Sequence, residues 1–147
     1  MKSINQKAPV QCCQSVVINT TRERVWQLLT QIDKWSDWQK EITRASLNGS
    51  LVAGSTFDWK TGGAKIRSTL HTVEPYTQFG WTGTTWGMVA IHNWMLQNEG
   101  GSTTVTVAES MDGLLATIFK NSFNRSLATG MQYWLSSLKV ECEKQQS

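Results

Sequence analysis

Asp112-GLLATIFKNSFNRSLATGMQYWLSSLKVEC-Glu143 is the stretch whose reading decides the fold, because its side chains sort onto two sides of one helix. Leu115, Phe119, Phe123, Leu127, Met131 and Leu135 form a row at i+4 spacing, joined by Ile118, Trp134 and Leu138. Thr117, Asn121, Arg125, Gln132, Ser136 and Lys139 fill the other side. That division predicts an amphipathic helix packed on one face. Each i+4 step turns by ~40° at 3.6 residues per turn, so the apolar stripe winds and suits a twisted sheet. Asp112 is the expected N-cap. Gly130 is the weak point, since mid-helix glycine costs ~1 kcal/mol relative to alanine. A bend there, or room for something beside it, would explain the residue.

With 147 residues and 39% hydrophobic content, the chain fits one domain, residues 1–147, of which 1–9 read as a flexible tail. The net charge of +3, from 14 basic and 11 acidic side chains with no run of Lys or Arg, argues against a nucleic-acid partner. No apolar stretch reaches the ~18 residues of a membrane span, and Met1–Val10 lacks the core of a signal peptide. The expectation is a cytoplasmic protein without stable membrane insertion, a monomer or weak homodimer. Cys12, Cys13 and Cys142 lack C-x-x-C spacing, and neighbours on a strand point oppositely. They read as small buried hydrophobes, with no metal site and no cofactor expected. The conspicuous residue is tryptophan, present eight times.

Upstream of the long helix the chain changes period twice. Gln11–Asn19, with Val16, Val17 and Ile18, reads as a first strand. Thr20-Thr21-Arg22-Glu23 fits a capping box that opens a helix carrying Val25, Leu28, Leu29 and Ile32. Asp33–Gln39 reads as a second small helix or turn carrying Trp35 and Trp38. Strands follow at about 42–48, 54–61, 65–74, 77–85, 88–98 and 102–110, broken by Gly-containing turns too short for parallel crossovers. An antiparallel meander is the consequence.

Alternation assigns the faces. Phe57 with Trp59, Ile66 with Ser68 and Leu70, and Phe79 with Trp81 point inward, as do Val105 and Val107. In 88–98 either face could serve, for both Met88, Ala90, His92, Trp94, Leu96 and the alternate set are largely apolar. The order predicts an α+β protein: a curved antiparallel sheet of about seven strands wrapped around a long C-terminal helix, with two short helices after strand 1. A helix of ~10 Å diameter leaves a gap in such a trough.

Several patches along the chain share one likeness. They are Val17-Ile18-Asn19 with Thr21-x-x-x-Val25-Trp26-x-Leu28-Leu29, Trp35-x-x-Trp38, and Val73-Glu74-Pro75 leading to Phe79-Gly80-Trp81. His92-x-Trp94-x-Leu96, Gly101-x-Thr103-x-Val105 and Gly113 before the long helix complete them. In order and spacing the chain resembles the START / Bet v 1-like (SRPBCC) superfamily, in particular its polyketide cyclase/dehydrase-like group. The resemblance implies a helix-grip fold with a deep pocket for a hydrophobic or amphipathic small molecule, a lipid, polyketide or quinone. It does not specify activity, since such proteins include carriers, receptors, aromatase/cyclases and chaperone activators.

The ligand cavity is expected between sheet and helix, lined by Trp38, Phe57, Trp59, Leu70, Phe79, Trp81, His92, Trp94, Phe119, Ser122, Phe123, Ser126, Gly130 and Trp134. Any one of these indoles is equally well simple core, and for Ser122 and Ser126 a bond back to a preceding carbonyl is the commoner fate. A cyclase or dehydrase needs a positioned acid or base, for which His92, Tyr133 and Arg125 are the candidates, with Asp58 and Arg67 as further polar groups. A strand histidine bonded to a neighbour is the plainer reading of His92, and His71 is expected on the exposed face. Binding is the first reading, catalysis the second, and a partner-binding module the third, which needs Trp35 and Trp38 exposed together. Phosphate-loop, dinucleotide and zincin motifs are absent.

Overall fold

The computed structural model describes residues 1–144. Strands β1 (Val10–Ile18), β2 (Ile42–Asn48), β3 (Thr56–Thr61), β4 (Ala64–Glu74), β5 (Gln78–Thr85), β6 (Met88–Glu99) and β7 (Ser102–Asp112) form one antiparallel sheet. Their order is β1-β7-β6-β5-β4-β3-β2. Helices α1 (Arg22–Thr30) and α2 (Trp35–Trp38), joined by a 3-10 turn at Ile32–Lys34, follow β1; α3 (Leu114–Ile118) and α4 (Lys120–Glu143) follow β7. Consecutive strands from β2 to β7 are neighbours because their turns are short, as at Gly62-Gly63, where φ values of 55° and 81° fit the tight mirror-image turn. Register slips at Ile42/Arg44 and Leu70/Thr72 are the bulges that help a sheet bend. This is the helix-grip arrangement, a curved sheet holding one long helix.

Side-chain parity follows the sequence alternation. Phe57, Leu70, Phe79, Trp81, Val105 and Val107 are all buried on the inner face. The ambiguous strand resolves in favour of its even-numbered residues: His92, Trp94 and Leu96 are buried with that core, and Val89 is exposed. The loops differ by small shifts. The helix cap is Thr21 rather than Thr20, its hydroxyl accepting from Arg24 N–H at 3.3 Å.

The long helix departs more from expectation. Asp112 is still strand, its carboxylate accepting from Asn5 Nδ2 at 2.8 Å, and Gly113 stands at the N-cap position. The helix is broken at Phe119, where φ −107° and ψ 30° separate α3 from α4. Along α4 the fully buried residues begin only at Met131 and continue with Trp134, Leu135, Leu138 and Cys142. The i+4 row explains this: four steps from Phe119 to Leu135 turn ~160°, so one end faces away when the other faces the core. α4 lies along β1, where Gln14 Nε2 donates to Ala128 O at 3.0 Å and Lys139 Nζ to Val17 O at 2.7 Å. Gly130 has open space beside it and an ordinary helical φ.

Residues 1–9, expected as a flexible tail, cross the outer face of the sheet. Asn93 Nδ2 donates to Lys2 O at 2.7 Å, Asn5 N–H donates to Ser110 Oγ at 2.9 Å, and Ala8 is buried. These polar groups of β6 and β7 are what an alternation count treats as solvent-facing. His71, expected to be exposed, is half-buried above Gly80, where a Cβ would lie 2.5 Å from its Cε1. Of the cysteines, Cys142 is buried and Cys12 partly so, but Cys13 is exposed, being on the opposite parity of an edge strand.

Candidate functional site

The centre of the space between sheet and α4 is built from aromatic rings. Trp35, delivered by the one-turn α2, is buried because its Nε1–H finds Leu29 O at 3.0 Å. Its ring centroid lies 5.4 Å from Phe57, 5.8 Å from Trp59, 5.4 Å from Trp81 and 5.2 Å from Trp134. Trp134 of α4 also meets Trp38 and Trp94, both at 5.8 Å. Four of these six pairs are edge-to-face and two are tilted, and aromatic pairs contribute ~0.5–1.5 kcal/mol each beyond their buried area. The helix thus grips the sheet through indoles, and these rings occupy the middle of the expected gap.

Set into this cage is a polar pair. His92 Nδ1 lies 2.6 Å from Glu109 Oε1 across the β6–β7 ladder, where the two residues are register partners. The imidazole stacks on Trp81 with centroids 4.4 Å apart and planes 9° from parallel. The carboxylate on Nδ1 fixes the ring's orientation and leaves Nε2 as the other functional nitrogen. Among the described residues, His92 Nε2, Trp94 Nε1 and Trp38 Nε1 are all buried without a hydrogen-bond partner. All three belong to rings around Trp134, the His92 centroid being 6.5 Å from it. An unpaired buried donor or acceptor costs ~1–3 kcal/mol, so three in one place is an unusual concentration.

The expected cavity residues divide accordingly. Trp38, Phe57, Trp59, Leu70, Phe79, Trp81, His92, Trp94 and Trp134 are together in or against the one core. Phe119, 54% exposed, and the exposed Ser122 and Ser126 point away from it. Phe123 packs instead in a smaller cluster with Val10, Met88 and Ala116. Among the catalytic candidates, His92 is inside, Arg125 is exposed, and Tyr133 lines a groove of about 340 Å³ between α2 and α4 with Trp38, Ser137 and Val140. The three do not converge. Asp58 and Arg67 pair with each other on the outer face at 2.8 Å, and the guanidinium, with Asn48, holds the Asp58 carboxyl down at about 2. Trp35 and Trp38 are both buried, which leaves the partner-module reading without its patch.

Two residues escaped the sequence reading. Glu109 shares parity with Val105 and Val107, so the alternation that placed the valines inside also places the carboxylate there. Trp35 was legible only as half of a Trp-x-x-Trp turn. Among the described residues no group of three or more His, Cys, Asp or Glu is arranged to hold a metal ion.

Comparison with known proteins agrees with this architecture. The family model described as polyketide cyclase / dehydrase and lipid transport matches residues 10–143. A hypothetical protein of Helicobacter pylori superposes with a TM-score of 0.85 at 16% identity, covering 97% of this chain and 98% of its own. The Zhui aromatase/cyclase from Streptomyces sp. R1128 gives 0.78 at 10% identity over 90% and 93% of the two chains. Ara h 8.0201 gives 0.74 at 8% over 90% and 96%. At such identities these structures share the fold. No curated protein matches the sequence.

Proposed function

Because the chain belongs to the polyketide cyclase / dehydrase and lipid transport family, we propose that it binds a hydrophobic or amphipathic small molecule, lipid, polyketide or quinone in character, in the Trp-lined interior. The observation that carries this reading is the set of unpaired buried atoms, His92 Nε2, Trp94 Nε1 and Trp38 Nε1, around Trp134. An apolar guest with one polar end satisfies them while its body replaces ring contacts. Access is by displacement of Trp38, which separates the α2/α4 groove from the cage. The test is titration with a medium-chain fatty acid and with a short-chain quinone, read by Trp fluorescence and native mass spectrometry. Saturable one-to-one binding that weakens about tenfold in Trp94→Phe is expected. Absence of any such complex, or one indifferent to Trp94→Phe and Trp38→Phe, overturns the reading.

A second reading, polyketide cyclase/dehydrase-type catalysis, is favoured by one specific feature. His92 is held by Glu109 on one nitrogen and unpaired on the other, the arrangement of an oriented general base. In a dehydration its Nε2 takes the proton α to a carbonyl and returns it to the β-hydroxyl oxygen, so that the C–O bond breaks, water leaves and the α,β double bond forms. A β-hydroxy thioester turned over by the native protein, and not by His92→Gln, supports it; no turnover removes it.

A further inference from the structure

We propose that one end of the sheet docks on an anionic lipid bilayer surface. The β3–β4 turn at Gly62-Gly63, the β5–β6 turn at Trp86-Gly87, and α3 all lie at this end, because β3, β5 and β7 run toward it. Gly113 brings the last two together: a Cβ on it would be 2.9 Å from Gly87 O. The side chains they present are apolar and in solvent, Trp86 at 65%, Leu114 at 74% and Ile118 at 59% exposure.

Trp86 is an unusual choice for its place. Its φ is 50° and that of Gly87 is 73°, the two-residue turn that Asn-Gly or Gly-Gly fills without strain. A bulky aromatic there, pointing into water, contributes nothing to the core and is costly for the turn. A ring with an apolar body and one polar N–H is suited to the boundary between headgroups and acyl chains.

The charge beside it is equally out of keeping with local stability. On the outer face Arg44 is register partner of Lys60, and Lys60 of Lys65, a row of three cations across β2, β3 and β4. Like charges directly opposite one another are destabilising. Among the described residues no carboxylate lies within ion-pairing distance of the three, since Asp58 is engaged by Arg67. The row runs toward the Trp86 turn, for Thr85 Oγ1 donates to Lys65 O at 3.4 Å. An open hollow of about 720 Å³ runs along these side chains. Lys120, exposed at the start of α4, adds a cation beyond α3.

Apolar tips flanked by unpaired cations match anionic headgroups above acyl chains. A stable second copy needs roughly 20–30 residues a side, far more than these tips supply. A polynucleotide would use the cations and leave Leu114 and Ile118 in water.

The experiment is co-sedimentation of the full chain with phosphatidylcholine vesicles, with and without phosphatidylserine. Binding only to the phosphatidylserine vesicles, weakened by salt, is expected. Lys60→Gln/Lys65→Gln reduces it by on the order of tenfold or more, at about fivefold per cation. Trp86→Asn, which suits the left-handed turn and keeps the fold, also reduces it by about tenfold. No vesicle binding, equal binding to neutral vesicles, or binding that survives both variants overturns the proposal. So does polynucleotide binding or dimer formation in its place. These variants lie outside the aromatic core, so ligand titration of the interior stays independent of this result.

Discussion

His92 and Trp81 lie face to face, ring centroids 4.4 Å apart, and it is Glu109 on the next strand that holds the imidazole in that plane. Glu109→Leu therefore strands a buried ring nitrogen, and should cost ~1–3 kcal/mol in urea unfolding. His92→Phe/Glu109→Leu, which removes both partners and keeps a ring on Trp81, should be less destabilised than the sum of the single changes. Additive losses would mean that the two side chains do not act as a unit.

Two glycines predict opposite outcomes. Gly80→Ala drives a methyl to 2.5 Å from His71 Cε1 and 2.6 Å from Asn93 Oδ1, and should destabilise by ~1–3 kcal/mol. Gly130→Ala meets nothing within 4 Å in a helix interior and should stabilise by ~1 kcal/mol. Thermal melts of the two variants decide both.

The cysteines should separate cleanly in alkylation. Burial pushes the Cys142 thiol up to about 12, so it reacts only on unfolding. Cys13 is exposed and is the expected site of fast labelling by iodoacetamide in the native protein, as peptide mass mapping would show.

Acid should loosen the amino-terminal strap. Burial, then the nearby Lys2 ammonium and the chain's amino group, lower the His71 pKa, with Asn93 acting the other way. A depressed histidine value means that the unfolded state binds the proton first. Stability from the neutral ring is complete above the unfolded value of ~6.5 and is lost as pH falls through the folded one. Once the intrinsic slowing of exchange in acid is divided out, hydrogen exchange of residues 2–8 should show an excess of opening as pH falls below about 6.5. His71→Gln should remove the excess.

Much of this was legible because periodicity reports burial. Phe57, Phe79, Trp81, Val105 and Val107 are inward for the reason their spacing gives, and the short turns dictate the meander. Strand β6 could not be assigned, since apolar residues on both sides erase the alternation. The N-terminal segment escaped for the complementary reason. Polar side chains such as Asn93 and Ser110 look like solvent contacts until another stretch of backbone is found on them. In the site, the tryptophans are legible as a group, but Phe119, and Ser122 and Ser126 beside its row, lie where the turning helix faces away from the core. The His92–Glu109 pairing depends on which residue of β7 stands opposite residue 92, and register between strands is not written in either strand alone.

Register has a temporal side as well. Val10 pairs with Met111 and Ile18 with Thr103, so the first strand made has no neighbour until the last strand leaves the ribosome. Until then Val10, Val16 and Ile18 belong to an unpaired edge, and the sheet assembles from the β2–β7 meander outward. Cotranslational folding of this chain is thus a wait by its beginning for its end.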